Sequence, residues 1–260
     1  MKAILLAAGY ATRLHPLTLN KPKGLLPVAG RPIMDYIADE IDTLEEVDEI
    51  IIISNHRFIN EFEQWADRRR PETRKRITLL DDGSTDDSNK LGAIGDLAFC
   101  IDKLQIDDEA VIIASDNFFT YRLKDAFDYY RLQGRDTVLA KKISNRDELS
   151  RMAVAIIDEN NVIRQLEEKP KQPVSDLGIY ATYFYRKDTL RLIRKYLADG
   201  NKPDAPGYFV AWLYQRKDVM VYIFDGECYD IGTPEAYRDV DRWASGHFAD
   251  KAPSKEDEQK

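Results

Sequence analysis

Apolar residues in this chain fall into short unbroken runs, separated by stretches where they recur every three or four positions. Ala3 to Ala7 is such a run and stops at Gly9; Ile50 to Ile53 and Ala110 to Ala114 are two more. Runs of this length bounded by turn residues suit strands buried on both faces, as in a parallel sheet. Amphipathic patterns over 33–44, 57–69 and 91–104 lie between them and predict helices. Strand runs alternating with helical patterns predict βαβ units. From Met152 the period changes. Residues 152–157 and 162–167 flank the polar Asp158-Glu-Asn-Asn161, which predicts a hairpin. Gly178 to Tyr185 reads as a strand from its aromatic and β-branched content. Helical patterns follow at 188–197 and 208–216, then a short strand at 219–224. A last helix is predicted from Pro234 to about Trp243, with Thr233 as its cap and Pro234 in its first turn. The pattern thus predicts one α/β domain over 1–248, built on a mostly parallel mixed sheet with a small hairpin extension. Residues 249–260 lack apolar content and are expected to be disordered.

Composition narrows the class. At 260 residues, 43% hydrophobic and 32% charged, the chain is long enough to bury a sizeable core without disulfides or structural metal. The formal charge of −8 argues against a general nucleic-acid binder. Cys100 and Cys228 form no metal or redox spacing and fit a reducing compartment. The opening apolar run is too short for a secretion signal, and no other run reaches membrane-spanning length. A cytoplasmic protein with neither membrane nor nucleic-acid partners is therefore expected. His15, His56 and His247 show no ligand spacing and are expected to be structural.

Candidate chemistry begins after the first strand, at Ala8-Gly-Tyr-Ala-Thr-Arg13, followed by Lys21-Pro-Lys23. Backbone N–H groups of a small-residue turn can surround an anion, and Arg13, Lys21 and Lys23 add three cations. A nucleotide phosphate chain is one ligand for such a loop; a solvated basic turn is the other reading. The loop lacks the Gly-Lys-Ser/Thr of a Walker motif and the spacing of a dinucleotide fingerprint. Asp116 directly follows a buried strand, at the sheet edge where open α/β proteins place ligands. Taken alone, Glu167-Glu168-Lys169-Pro170 is a solvated charge run, and Asp230 is an acid ahead of a helix.

Order and spacing change that assessment. Leu6-Ala-Ala-Gly-Tyr-Ala-Thr-Arg-Leu with Lys21-Pro-Lys23, Leu91-Gly-Ala-Ile-Gly, Ser115-Asp116-Asn, Glu168-Lys169-Pro with Gly178-Ile-Tyr, and Asp230-Ile-Gly-Thr-Pro form five blocks. Together they resemble the sugar-1-phosphate nucleotidyltransferases (NDP-sugar pyrophosphorylases), over about residues 2–245. The resemblance implies a three-layer α/β/α Rossmann-like nucleotidyltransferase fold. It also implies transfer of NMP from an NTP to a sugar-1-phosphate, with pyrophosphate released. By that resemblance Ala8, Gly9 and Gly92 lie along the nucleotide, Arg13 and Lys23 on its phosphates, and Lys169 on the sugar phosphate. Glu168 and Gly178 would line the sugar, while Asp116 and Asp230 would hold Mg²⁺. General likeness favours a pyrimidine triphosphate (UTP, dTTP or CTP), and relatives often form homo-oligomers.

This chain departs from the family pattern at two block positions: Ala11 stands where a second glycine is usual, and Ser115 replaces the glycine before Asp116. The segment that commonly supplies a sugar-phosphate arginine reads Asp199-Gly-Asn-Lys202 here, too loosely aligned to count Lys202 in the site. Two competing readings are a glycosyltransferase consuming an NDP-sugar and a non-catalytic nucleotide-sugar-binding subunit. The first normally carries Asp-x-Asp on the metal strand, absent from Asp116-Asn-Phe; the second has no need of both acids and all three cations.

Overall fold

The computed structural model describes residues 1–249, with side chains described through 248. The tail expectation for 250–260 lies outside these residues. In chain order the strands are β1 (Lys2–Leu6), β2 (Pro27–Val28), β3 (Arg31–Pro32), β4 (Glu49–Ser54), β5 (Arg76–Asp81), β6 (Ala110–Ala114), β7 (Asn117–Phe119), β8 (Thr137–Lys142), β9 (Ala153–Ile157), β10 (Ile163–Glu168), β11 (Leu177–Tyr185), β12 (Met220–Ile223) and β13 (Cys228–Asp230). The helices are α1 (Ile33–Asp42), α2 (Ile59–Arg69), α3 (Ala93–Leu104), α4 (Leu123–Gln133), α5 (Arg146–Leu149), α6 (Lys187–Ala198), α7 (Pro206–Leu213) and α8 (Pro234–Ala249).

Strands β6, β1, β4 and β5 run parallel in that order, and their unbroken apolar sequences follow from being covered on both faces. Alternation decides which side chain meets which layer. Ala3, Leu5, Ile50, Ile52, Val111 and Ile113 face a core shared with α1, α2 and α4. Ile4, Ile51, Ile53 and Ile112 face the other core, with α3, α6 and α7. This is the three-layer α/β/α arrangement expected from the sequence.

β11 is the junction. One edge pairs antiparallel with β8 along most of its length, and β8 in turn pairs parallel with β12. Along its other edge, Thr182–Tyr185 pair with β6, while Leu177–Ile179 pair with β9. The β9–β10 hairpin therefore branches from the sheet beyond the carboxyl end of β6, where it widens the sheet edge that carries the site. The hairpin turn contains Asn161 at φ 60°, a conformation that asparagine tolerates. The last helix runs to Ala249, past the Trp243 expected, because Trp243 and Phe248 continue its apolar stripe against Tyr36 and Phe118.

Candidate active site

The opening loop is fixed where three parallel strands end. Ser115 N–H donates to Leu6 O (3.1 Å), Ala7 N–H to Ile53 O (2.9 Å), and the Asn55 amide to Ala8 O (3.0 Å). Ala8 is buried against this frame while Gly9 is exposed, with open space where a side chain would stand. Leu14, 1% exposed, anchors the turn beyond, and Thr18 Oγ1 donates to Ala11 O at 2.9 Å. Arg13 stays exposed, and its Nη1 lies 3.9 Å from where a Cβ on Gly232 would stand. That faces its guanidinium toward the block after Asp230. Ala11 adopts φ 47°, ψ 41°, the left-handed region that glycine enters freely and alanine only with strain.

The two acids, 114 positions apart, are brought together by a short ribbon. β13 pairs antiparallel with β7, with Asp230 opposite Asn117 and Tyr229 opposite Phe118, so Asp230 lies beside the residue that follows Asp116. Between them sits Lys23, whose Nζ is 2.9 Å from Asp116 Oδ2 and 3.1 Å from Asp230 Oδ1. The lysine is buried at 7% exposure. Burial acts to pull its pKa down, but the two carboxylates outweigh this and the net shift is upward, so the ammonium stays charged. Gly24 makes this approach possible: a Cβ there would lie 2.7 Å from Ser115 O. Gly24 was not picked out from the sequence, because the neighbour that requires it is 91 positions away.

Strand register sets the second half of the site on the same edge. Thr182 pairs with Ile113 near the end of β6, so Gly178 lies further out in the same direction, beyond that strand's end. Ile179 pairs with Ala153, and Ala153 with Glu168. The Glu168 side chain is 6% exposed and occupies the space over Gly207, in the first turn of α7, where any Cβ would clash with its Oε2. Burial raises its pKa, partly offset by Lys169, whose Nζ is 3.7 Å from Oε1. Lys169 is itself left-handed at φ 53°, with its N–H on Met152 O, and its side chain is half exposed.

Two further glycines, Gly92 and Gly178, are packed against protein atoms on the side where a Cβ would stand. A Cβ on Gly92 would lie 2.8 Å from Pro203 O, and Ala93 and Ile94 N–H donate to Asp204 O and Pro203 O (3.1 and 2.8 Å). The start of α3 is thus capped by the 203–204 backbone, and Gly92 admits that chain. Gly178 has its side-chain space filled by Ile143 and Met152. Lys202 lies over the Tyr208 ring, its Nζ 5.1 Å from the centroid.

The model of the family described as "Nucleotidyl transferase" matches residues 2–244. The chain belongs to that nucleotidyl transferase family. A relative from Methanocaldococcus jannaschii, the bifunctional protein GlmU, is 31% identical over 195 residues, covering 75% of this chain and 42% of that protein. Arabidopsis thaliana mannose-1-phosphate guanylyltransferase 1 is 26% identical and covers 98% of this chain and 68% of its own. Haloferax volcanii UTP–glucose-1-phosphate uridylyltransferase AglF is 28% identical over 71% of this chain and 72% of its own. A solved UDP-glucose pyrophosphorylase complexed with UDP-glucose superposes with a TM-score of 0.77 at 20% identity, covering 96% of this chain and 98% of that one; it shares the fold. This nucleotidyl transferase chain spans 42–61% of the length of the Sulfolobus, Methanocaldococcus and Sulfurisphaera relatives.

The donor chemistry suits a hard divalent cation. Asp116 and Asp230 are 40% and 70% exposed in their side chains and already share one cation. Among the described residues no cluster of three or more His, Cys, Asp or Glu forms a closed metal cage. Mg²⁺ fits such a pair, since it takes one or two carboxylates and completes its shell with water and phosphate oxygens. Also among the described residues, no helix is long and apolar enough to cross a membrane.

Proposed function

We propose that this domain transfers a nucleoside monophosphate from an NTP to a sugar-1-phosphate and releases pyrophosphate. The observation that carries this reading is the joining of Asp116 and Asp230 through Lys23, beside the opening loop at the carboxyl edge of the sheet. A sugar phosphate is already anionic at neutral pH, so its oxygen can attack the α-phosphorus without a general base. The obstacle is repulsion between two polyanions in a site that excludes water. The protein's task is therefore to position the reactants and neutralise their charge. Arg13 offers a planar fork to the departing pyrophosphate, Lys23 a point charge to the nucleotide phosphates, and Lys169 a charge to the attacking phosphate. Ala8 and Gly9 present main chain along the nucleotide; Glu168, held on the first turn of α7, faces sugar hydroxyls. Asp116 and Asp230 would hold Mg²⁺, which would supply Lewis-acid charge neutralisation for the phosphates.

A pyrimidine triphosphate is the base preferred on general likeness, set beside relatives named for guanylyl as well as uridylyl transfer. The test is pyrophosphate release across UTP, dTTP, CTP, GTP and ATP against a set of sugar-1-phosphates, with and without Mg²⁺. Release is expected for at least one pair and only with metal. Asp116→Asn is expected to lower kcat by at least ~10²-fold, as when one electrostatic stabiliser is lost. A glycosyltransferase or a non-catalytic subunit would release none.

A further inference from the structure

Lys23 occupies the space that a shared metal ion needs. Its Nζ lies 2.9 and 3.1 Å from one oxygen of each acid, so a divalent cation held by both acids would compete with the ammonium for them. The lysine is not loosely placed: it opens the single turn Lys23–Leu25, its carbonyl accepts from Leu26 N–H at 3.0 Å, and Gly24 is seated on the Ser115 carbonyl. The carboxylates are exposed, so solvent ions reach them, whereas the ammonium side chain is held at 8% exposure.

We propose that Lys23 is an internal counter-ion that holds Asp116 and Asp230 together in the nucleotide-free protein and keeps divalent cations off them until nucleotide phosphates draw the ammonium away. The proposal rests on the transferase reading for the identity of the incoming polyanion. Two carboxylates in contact with one lysine carry a net charge of −1, a poor site for a dication. Once a triphosphate takes the ammonium, the pair regains its full charge beside phosphate oxygens that complete a Mg²⁺ shell. Metal and nucleotide should then bind with positive coupling, and by linkage each tightens the other by the same factor. Lys23 would thereby act twice, first as a guard on the acids and then as a phosphate ligand.

Mn²⁺ binding, followed by the EPR signal of the free ion, tests this without turnover. Without nucleotide, Lys23→Met is expected to bind Mn²⁺ at least ~10-fold tighter than the wild type. The gain is expected to vanish in Lys23→Met/Asp230→Asn. In the wild type, a non-hydrolysable triphosphate analogue is expected to strengthen Mn²⁺ binding beyond what the analogue binds by itself, and this coupling should shrink in Lys23→Met. Equal or weaker Mn²⁺ binding by nucleotide-free Lys23→Met overturns the proposal. If that variant does not fold, absence of coupling in the wild type overturns it equally. Pyrophosphate release by the wild type is scored separately. A tighter Lys23→Met with no release in the full substrate matrix keeps the counter-ion and removes the transferase; release without the gain does the reverse.

Discussion

At the scale of single residues, the loop's backbone geometry explains an oddity of its sequence. Ala11 holds φ 47°, ψ 41° where the pattern it resembles has glycine. An L-residue held there costs roughly 1–2 kcal/mol, while glycine would forfeit about 0.5–1 kcal/mol of chain entropy and the contacts of a partly buried methyl. Ala11→Gly is therefore expected to stay within about 1 kcal/mol of wild type. Ala11→Val places a β-branched side chain in the same region, where such residues are true outliers. It is expected to lower stability by more than ~1 kcal/mol, a fall in Tm of roughly 2–4 °C for a chain of this size. A thermal melt of Ala11→Val matching wild type would mean that the loop does not hold this conformation. Lys169 is also left-handed, but its exposed ammonium beside Glu168 gives that strain a use that the Ala11 methyl lacks.

At the scale of elements, the loop after β5 is fastened to α3 by an acid pair. Asp96, 6% exposed in the first turn of α3, faces Asp82, whose other oxygen accepts from Ser84 N–H and Oγ–H at 2.7 Å. Buried oxygens Asp96 Oδ1 and Asp82 Oδ2 have no conventional donor, so a proton on Asp96 is what joins them. Burial and the neighbouring Asp82 push Asp96 up to about 8 from an ordinary 3.8. The sign follows from proton counting. Between about pH 4 and pH 8 the native chain keeps a proton that the unfolded chain releases, so this group's contribution to stability falls as pH rises through that window. Asp96→Asn replaces the proton with a permanent N–H donor. Relative to wild type it is expected to gain up to about 4 kcal/mol of stability between pH 5 and pH 8, at about 1.4 kcal/mol per pH unit. Parallel pH–Tm curves for the two proteins would remove the pair.

The elements also show where pattern reading succeeds and where it stops. β1, β4 and β6 were legible because strands covered on both faces are unbroken apolar runs, and α1 and α2 because their stripes repeat. β5 was not: Arg76-Ile-Thr-Leu-Leu-Asp is only partly covered at the sheet edge, so its sequence is mixed. α4 and β8 were passed over, although Gly134 at φ 63° is a helix-ending signal in plain sight. β7 and β13 have three residues each, too few for any period to register. Asp116 could be read as an acid at a strand end and Asp230 as an acid ahead of a helix, but nothing local in the chain says that they meet.

At the scale of the whole molecule, the meeting of those acids depends on what lies behind the ribbon. Phe118 and Tyr229, the cross-strand pair next to Asn117 and Asp230, stack at 6.3 Å, and Trp243 of α8 closes on them at 6.4 and 5.4 Å. His247 stacks on Trp243 at 4.7 Å, and α8 is tied to the β2–β3 hairpin by Asp241 accepting from Ala29 N–H at 2.8 Å. The helix that ends the described chain thus braces, from the rear, the carboxylates it never touches. Trp243→Ala removes the central ring of this brace and is expected to cost roughly 2–3 kcal/mol, below the 3–5 kcal/mol of a fully buried aromatic because Trp243 is only partly covered. If the brace sets the separation of Asp116 and Asp230, then on the proposed transferase reading kcat should fall at least ~10-fold at temperatures where the variant is fully folded, with KM for either proposed substrate changed far less. The split is informative because a merely destabilised enzyme, assayed well below its Tm, turns over normally. Leu132→Ala, on the exposed face of α4 at 81% exposure, serves as the control and should leave both constants unchanged. A folded Trp243→Ala with wild-type kcat would mean that the β7–β13 pairing alone keeps the acids in place.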